Sequence, residues 1–330
     1  MPAQHCWKAP RKRRELAVRL WYPVSAHSNQ PCNPADYASS KVWEYFAQLL
    51  GVPTFSVATN SCQDAVVAEG VHPVVVFTPG LTATFTDYTF LMEDLASRGY
   101  VVVAVNHTYE ATAVEFSDGR LARSVVGSHL GGTVPRSPRE ARFAFDARLK
   151  DLKFVLDQIA RLNVVRKGPF TGRLDLSKIV VAGHSLGGLT ALLVNQSDPH
   201  VKGAILLDPV LPEVLPGRTN KPILILGADR KEWTASECSL WRNLQGPRLA
   251  VSLQGTEHVA LSDWIWLAKD AVQTGPMGPQ KTMSAVRDYV AAFFNRTLQG
   301  EPADPLLSGR SPNYPDAKVT LQDQALCGKQ

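Results

Sequence analysis

The chain has 330 residues, 45% of them hydrophobic and 20% charged, with a formal net charge of +5 at pH 7. Much of that charge lies in a basic run at 8–14 without an accompanying aromatic patch, so no nucleic-acid partner is expected. The first thirty residues contain no apolar stretch of signal-peptide length, and no segment approaches a membrane-spanning run, which predicts a soluble, cytoplasmic protein.

Apolar, β-branched runs alternate with amphipathic segments of helical length. This alternation predicts an α/β fold with a mostly parallel central sheet flanked by helices on both faces, in a single domain over residues 1–330. In chain order we predict a strand at 16–22, a helix at 40–50, a strand at 74–78, a helix at 87–98, a strand at 101–106, a helix at 138–162, a strand at 179–182, a helix at 186–196, strands at 204–207 and 223–226, a helix at 236–244, a strand at 249–253 and a helix at 281–297.

Two segments depart from the alternation. Residues 107–137 contain a hairpin signal, with strands at 114–116 and 121–125, and we expect this excursion to shape a pocket. The stretch after about residue 299 reads as an irregular tail. The helix at 40–50 has an apolar face that either packs over the sheet or pocket, which we favour, or makes weak contact with a membrane surface.

Five cysteines, Cys6, Cys32, Cys62, Cys238 and Cys327, are scattered and follow no metal-binding spacing. A Cys32–Cys62 disulfide is conceivable in an oxidising compartment, but we expect buried or free thiols. Neither a metal ion nor an organic cofactor is expected, because no cluster of residues offers a site for one.

The predicted strand at 179–182 runs into Gly183, His184, Ser185, Leu186 and Gly187, and then into a helix. This G-x-S-x-G sequence between a strand and a helix is the pattern of a nucleophile elbow. The turn is so tight that side chains at the two glycines would clash, which leaves the serine protruding at the helix N-terminus. There the helix dipole and free N–H groups favour a developing oxyanion, and we predict Ser185 as the nucleophile.

A serine hydroxyl needs a base at neutral pH, and the base needs an orienting carboxylate. In this fold the chain order is serine, acid, histidine. His258 lies in a loop just past the strand at 249–253 and is predicted to be the base. Asp208 and Asp229 end the next two strands after the elbow, and spacing alone does not decide which of them is the acid.

Five motifs supply a more specific signal than the elbow alone. They are TPGL at 78–81, LASRGYVVVAVNH at 95–107, GHSLGG at 183–188, LD at 207–208 and GTEH at 255–258. Together they resemble the plasma-type platelet-activating-factor acetylhydrolase family, an α/β-hydrolase family, from about residue 19 to 297. The excursion and the segment after GTEH look closer to uncharacterised microbial relatives.

The resemblance implies an acid one strand after the elbow strand, which favours Asp208 over Asp229. It also implies an oxyanion hole formed by the backbone N–H groups of Leu186 and Leu81. As substrates it implies phospholipids with short acyl chains, and thus a role in lipid degradation.

We therefore expect a serine hydrolase that cleaves short-chain esters of a small molecule or a lipid through Ser185, His258, Asp208 and an acyl-enzyme. The alternative is a biosynthetic-pathway hydrolase, thioesterase or cyclase that uses the same residues on a polyketide-like ester, lactone, thioester or C–C bond. A non-enzymatic binder on the same fold is disfavoured, because a binder has no need of all three residues. The oligomeric state is not predicted.

Overall fold

The computed structural model describes residues 14–25, 31–127, 138–213, 217–268, 273–302, 304–309 and 311–327. Within these ranges the strands are β1 (Ala17–Trp21), β2 (His72–Thr78), β3 (Val101–Asn106), β4 (Ala113–Glu115), β5 (Leu121–Arg123), β6 (Leu174–His184), β7 (Val201–Leu207), β8 (Ile223–Gly227), β9 (Arg248–Leu253) and β10 (Ala317–Thr320). The helices are α1 (Ser40–Leu50), α2 (Thr89–Ser97), α3 (Pro138–Leu162), α4 (Leu186–Ser197), α5 (Ala235–Asn243), α6 (Trp264–Leu267) and α7 (Pro279–Phe294).

Eight strands form one sheet in the order β1-β3-β2-β6-β7-β8-β9-β10. The six central strands run parallel to one another, and the edge strands β1 and β10 are antiparallel to their neighbours. Parallel strands need crossover connections, and the helices that supply them cover the sheet. The predicted fold class, a mostly parallel sheet flanked by helices on both faces, is confirmed.

The apolar strands build two cores because successive side chains point to opposite faces of the sheet. In β2, Val75 and Phe77 belong to a core on one face, while Val74 and Val76 belong to a core on the other. Helices α2 and α7 cover the first face, and α3, α4 and α5 cover the second. Strands buried on both faces need near-continuous apolar runs, which is what the sequence contains.

The register brings the carboxyl ends of the central strands to one edge. Thr78 at the end of β2 pairs with Gly183 in β6, and His184 pairs with Leu207 at the end of β7. The loops that follow β2, β6 and β7 therefore lie side by side, which is where open α/β sheets place their functional groups.

The observed boundaries of helices and strands agree most closely with the predicted ones where the apolar periodicity extends over many residues. Helices α1 and α3 match the predicted bounds, and the predicted hairpin is confirmed as β4 paired antiparallel with β5. The helix predicted at 281–297 ends earlier, at Phe294, and continues as a π-helical turn over Asn295–Gln299. Residues 128–137 of the predicted excursion lie outside the described residues.

The tail after residue 299 is more regular than predicted. A short 3₁₀ helix spans Pro305–Ser308, and β10 adds an antiparallel edge strand to β9, with Ala317 opposite Leu253. The strand is only four residues long, with a lysine in second place, so it carries little hydrophobic alternation. Pairing with β9, rather than local sequence, makes this segment a strand.

The expectation of buried or free thiols is wrong for four of the cysteines, because they form two disulfides. Cys32 is bonded to Cys62 and Cys238 to Cys327, with Cα–Cα distances of 5.1 and 5.9 Å, whereas Cys6 lies outside the described residues. The two cysteines of the first disulfide are 30 residues apart in sequence, and those of the second are 89 residues apart. The second pairing was not predictable from spacing, because a disulfide requires proximity in space.

The amphipathic helix α1 packs inward. Val42 and Phe46 are buried in a small cluster with Trp264 and Ala113, and the rings of Phe46 and Trp264 lie 6.1 Å apart. This is the packing alternative that the sequence favoured; weak membrane-surface contact stays a prediction. Among the described helices, none combines the length and the hydropathy that a membrane crossing requires.

Candidate active site

Ser185 occupies a strained turn between β6 and α4. Its backbone has φ 57° and ψ −120°, a region that residues with a side chain rarely adopt. Its N–H donates to Leu207 O at 2.8 Å, which ties the turn to β7. A Cβ added at Gly187 would lie 2.1 Å from Thr78 O, and one at Gly183 would lie 2.4 Å from Gly187 O. Only glycine fits at these two positions, as the tight-turn argument requires.

Asp208 and His258 are brought together from the ends of different strands. Asp208 directly follows β7, and His258 begins a short 3₁₀ helix beyond β9. The Nδ1–H of His258 donates to Asp208 Oδ2. Asp208 is 2% exposed, whereas the side chain of His258 is 48% exposed, so a buried acid orients an imidazole that is open to solvent.

The second oxygen of Asp208 is also occupied. Its Oδ1 accepts a hydrogen bond from Ala228 N at 3.0 Å and another from the guanidinium of Arg230. Burial by itself would raise the pKa of Asp208, but His258 and the Arg230 charge outweigh it and hold that pKa below its ordinary value. The acid therefore carries its negative charge at neutral pH. No motif in the sequence points to Arg230 as a partner of Asp208.

Asp229 lies apart from this pair. Its Oδ2 accepts from Gly255 N at 3.0 Å, and its own N–H donates to Thr256 O at 3.0 Å. Asp229 thus anchors the loop that carries His258, the loop-anchoring role that remains to it when Asp208 is the acid. The structure places Asp208, not Asp229, against the imidazole.

A hydrogen-bonded chain beside the elbow was missed in the sequence. Gly80 N donates to the Tyr88 hydroxyl at 3.1 Å, and that hydroxyl donates to His184 Nδ1 at 2.8 Å. His184 Nε2 then donates to His258 O at 3.1 Å. Burial raises the pKa of Tyr88, which keeps its hydroxyl protonated as a donor. No sequence signal identifies this chain, because Tyr88 precedes His184 by 96 residues.

This series of hydrogen bonds also positions the ring of His258. The imidazoles of His184 and His258 lie against each other with centroids 4.4 Å apart and planes tilted by 33°, and His184 directly precedes Ser185. Within the described residues no hydrogen bond joins Ser185 Oγ to the His258 ring, so that contact stays a prediction. Hydrogen bonds between catalytic groups are often long in the absence of substrate and tighten when substrate binds.

The loop after β2 faces the elbow. A Cβ added at Gly80 would lie 3.5 Å from Ser185 Cβ, so the next residue, Leu81, is near the serine. Leu186 is the first residue of α4. In the part of the chain that the structure describes, neither the Leu81 N–H nor the Leu186 N–H has a hydrogen-bond partner. Both groups are available to an oxyanion, although their role stays a prediction.

The described residues contain no group of three or more His, Cys, Asp or Glu side chains that could hold a metal ion. Parts of the expected pocket wall, residues 128–137 and 269–272, lie outside the described residues. In the described part, Val210 and Trp266 are 55% and 49% exposed, and Val210 N donates to Ser185 O at 3.2 Å. The site thus has an apolar side chain next to the elbow.

A largely parallel sheet with a serine on a strained strand-to-helix turn and an acid–histidine pair on later strands defines the class of α/β-hydrolases. The model of the alpha/beta hydrolase family matches residues 75–325. The chain belongs to that family. A second model, platelet-activating factor acetylhydrolase, isoform II, matches residues 9–122, and the resemblance to the acetylhydrolases is thereby confirmed.

Individual relatives agree with this assignment. A probable 1-alkyl-2-acetylglycerophosphocholine esterase from Arthroderma benhamiae is 26% identical over an alignment of 271 positions that covers 74% of this chain and 65% of that protein. The platelet-activating factor acetylhydrolase of Gallus gallus is 21% identical over 73% of this chain and 67% of its own length. The chain thus spans about two thirds of the length of these relatives.

Among solved structures, a ferulic acid esterase from Streptomyces cinnamoneus is similar over nearly the whole chain. It superimposes with a TM-score of 0.76 and 34% sequence identity, covering 93% of this chain and 89% of its own. All three relatives are named as enzymes that act on carboxylic esters.

Proposed function

We propose that this protein hydrolyses carboxylic esters, with Ser185 as nucleophile, His258 as general base and Asp208 as the orienting acid. The observation that carries the proposal is the hydrogen bond between a buried, ionised Asp208 and His258. The ring of His258 lies against that of His184, which directly precedes the strained Ser185. A strained backbone at such a position is a feature of activated nucleophiles. The names of the relatives support the same reaction class.

In the proposed reaction, His258 Nε2 takes the proton of Ser185 Oγ while the oxygen attacks the ester carbonyl. Asp208 keeps the proton of the ring on Nδ1, so that Nε2 is free to act as the base, and its charge stabilises the imidazolium. The imidazolium then protonates the departing alcohol, which leaves an acyl-enzyme. A water molecule, deprotonated by the same histidine, attacks the acyl group and releases the carboxylic acid.

Each attack places negative charge on the carbonyl oxygen. We propose that the N–H groups of Leu81 and Leu186 hold this oxyanion. Leu186 adds the positive end of the α4 dipole, since its N–H is among those that have no partner inside the helix. Removing one donor from an oxyanion hole typically lowers kcat by about 10²–10³.

We propose a short-chain ester of a small molecule or lipid as the substrate. The acetylhydrolase relatives support an acetyl ester of a lipid, and the ferulic acid esterase supports an ester with an aromatic acyl group. The exposed Val210 next to the elbow and Trp266 beyond His258 offer apolar surface to either. Both substrate types share a carboxylic ester beside an apolar group.

The first experiment is labelling with a fluorophosphonate probe, which reports an activated serine without knowledge of the substrate. We expect wild type to be labelled and Ser185→Ala not to be. A panel of p-nitrophenyl acetate, longer alkanoates, an acetylated ether phospholipid and methyl ferulate then defines the acyl group. No labelling of folded wild type would refute the proposal. Labelling without turnover of any of these esters would instead favour a biosynthetic-pathway enzyme.

The two disulfides bear on location. Disulfides persist in oxidising compartments and are rare in the cytosol, where thiols are kept reduced. We therefore propose that the protein works in an oxidising compartment, in place of the cytoplasmic location expected from the sequence. Alkylation of the protein taken directly from its own cells, with and without prior reduction, tests this. Four thiols that appear only after reduction are expected, and four that react beforehand would refute it.

A further inference from the structure

We propose that Arg148 and Glu110 are positioning residues for the oxyanion hole, because their ion pair turns the Leu81 N–H towards Ser185. This inference rests on the proposed function. Neither residue was singled out in the sequence, and neither belongs to the acid–histidine pair. Both are buried, Arg148 being 1% and Glu110 5% exposed.

The ion pair is bidentate. Arg148 projects from α3, and its Nε and Nη2 donate to the two oxygens of Glu110, with Nη2–Oε1 at 2.7 Å. Glu110 lies in the segment between β3 and β4. The planar guanidinium matches a carboxylate in this two-pronged geometry, which a lysine cannot reproduce.

The same two side chains hold three backbone groups of the loop after β2, one each from Pro79, Gly80 and Thr82. Arg148 Nη1 donates to Pro79 O at 2.7 Å, and Nη2 donates to Gly80 O at 2.8 Å. Glu110 Oε1 accepts from Thr82 N at 2.7 Å. The backbone groups on either side of Leu81 are therefore anchored to one buried ion pair.

This anchoring determines the direction of the Leu81 N–H. In a trans peptide the carbonyl oxygen of one residue and the N–H of the next point in opposite directions. The carbonyl of Gly80 points at Arg148, so the N–H of Leu81 points away from it. The α-carbon of Gly80 faces the elbow, since an added Cβ would lie 3.5 Å from Ser185 Cβ. A rotation of this one peptide would remove the donor.

Stability alone does not account for such a pair. Taking two charges out of water costs so much that replacing a buried ion pair with apolar side chains is often neutral or stabilising. Apolar side chains, however, would leave the carbonyls of Pro79 and Gly80 without their donors. Arg148 supplies those donors and so fixes the direction of the two carbonyls, which apolar packing cannot do.

The test is Arg148→Lys, which keeps the positive charge but loses the planar guanidinium that donates to both oxygens of Glu110. We expect kcat for the best ester to fall by about 10- to 1,000-fold with KM within about threefold, since the lost donor acts mainly on the oxyanion. A trifluoromethyl ketone inhibitor forms a tetrahedral adduct with such an oxyanion, so its inhibition constant should rise by a factor similar to the loss in kcat. A merely structural role would not produce this parallel change.

Arg14→Gln is the matched control. Arg14 also forms a bidentate ion pair with a carboxylate on α3, Asp151, with N–O distances of 2.7 and 2.8 Å, but within the described residues none of its hydrogen bonds or ion pairs reaches residues 79–82. We expect its melting temperature to fall while kcat and the inhibition constant stay within about twofold of wild type.

The outcomes separate this inference from the proposed function. If wild type neither reacts with a fluorophosphonate nor turns over esters, the proposed function fails. If wild type is active but folded Arg148→Lys keeps kcat within threefold, or loses kcat without weaker inhibition, only the positioning role is refuted. If Arg148→Lys does not fold, a crystal structure of phosphonylated wild type decides: Leu81 N must donate to the phosphonyl oxygen while Gly80 O remains on Arg148.

Discussion

The substitution Asp208→Asn tests the central pair with a change of one atom. Asn can still accept from Ala228 N and Arg230 through its carbonyl oxygen, so the local fold is preserved. The amide NH₂ then faces His258 Nδ1, whereas in wild type a carboxylate oxygen accepts a hydrogen bond from the Nδ1–H. Two donors cannot face each other, so the imidazole shifts its proton to Nε2. The nitrogen that should act on Ser185 becomes a donor and can no longer serve as the base.

The expected magnitude follows from this change of tautomer. The corresponding Asp→Asn substitution in a serine protease lowers kcat by about 10⁴. At about 1.36 kcal/mol for each tenfold change, this corresponds to about 5 kcal/mol of lost transition-state stabilisation. The loss should lie in kcat, because Asp208 is 2% exposed and does not face solvent or substrate directly.

Steady-state kinetics with a p-nitrophenyl ester measure this, and Asp229→Asn is the matched control. Asp229 lies two residues beyond the next strand, β8, and accepts from Gly255 N, so its replacement should cost less than about tenfold in kcat. Far-ultraviolet circular dichroism and melting curves establish that both variants are folded. If Asp229→Asn loses activity by several orders of magnitude while Asp208→Asn stays within tenfold of wild type, the assignment of the acid is wrong.

Three further predictions concern the fold. The Gly187→Ala variant should not fold, because its Cβ would lie 2.1 Å from the backbone oxygen of Thr78. The Gly188→Ala variant should fold, because its nearest neighbour, the Cβ of Pro209, would be 3.0 Å away. Circular dichroism measures whether each variant folds. Burial raises the pKa of Asp263 from 3.8 to about 7, so folding retains a proton that unfolding releases. The free energy of unfolding should therefore fall by about 1.4 kcal/mol per unit as the pH rises between about 4 and 7, a slope that urea titrations should not find in Asp263→Asn. Replacing both Cys32 and Cys62 with Ser should destabilise the fold by about 2–5 kcal/mol, and dithiothreitol should lower the melting temperature of wild type more than that of the variant.

The backbone pattern was predictable wherever burial is periodic. The bounds of α1 and α3 and the antiparallel pairing of β4 with β5 follow from local spacing and turn residues. The failure at β10 has the opposite cause, since four residues at an edge are too few to show alternation. The disulfides did not follow from local sequence either, because the bonded cysteines lie 30 and 89 residues apart.

The sequence by itself determined that a serine stands in a tight turn that requires glycine two residues before and two residues after it, and it placed a histidine in the loop after the last parallel strand. Both follow from local rules, because a strand, a tight turn and a helix are short-range structures. Only the tertiary structure decided that Asp208, and not Asp229, faces His258, and that Arg148 donates a hydrogen bond to the Gly80 carbonyl directly before Leu81. Those contacts join residues 50 and 68 positions apart, and the order of the strands and the packing of α3 on the sheet, not local spacing, determine which residues meet.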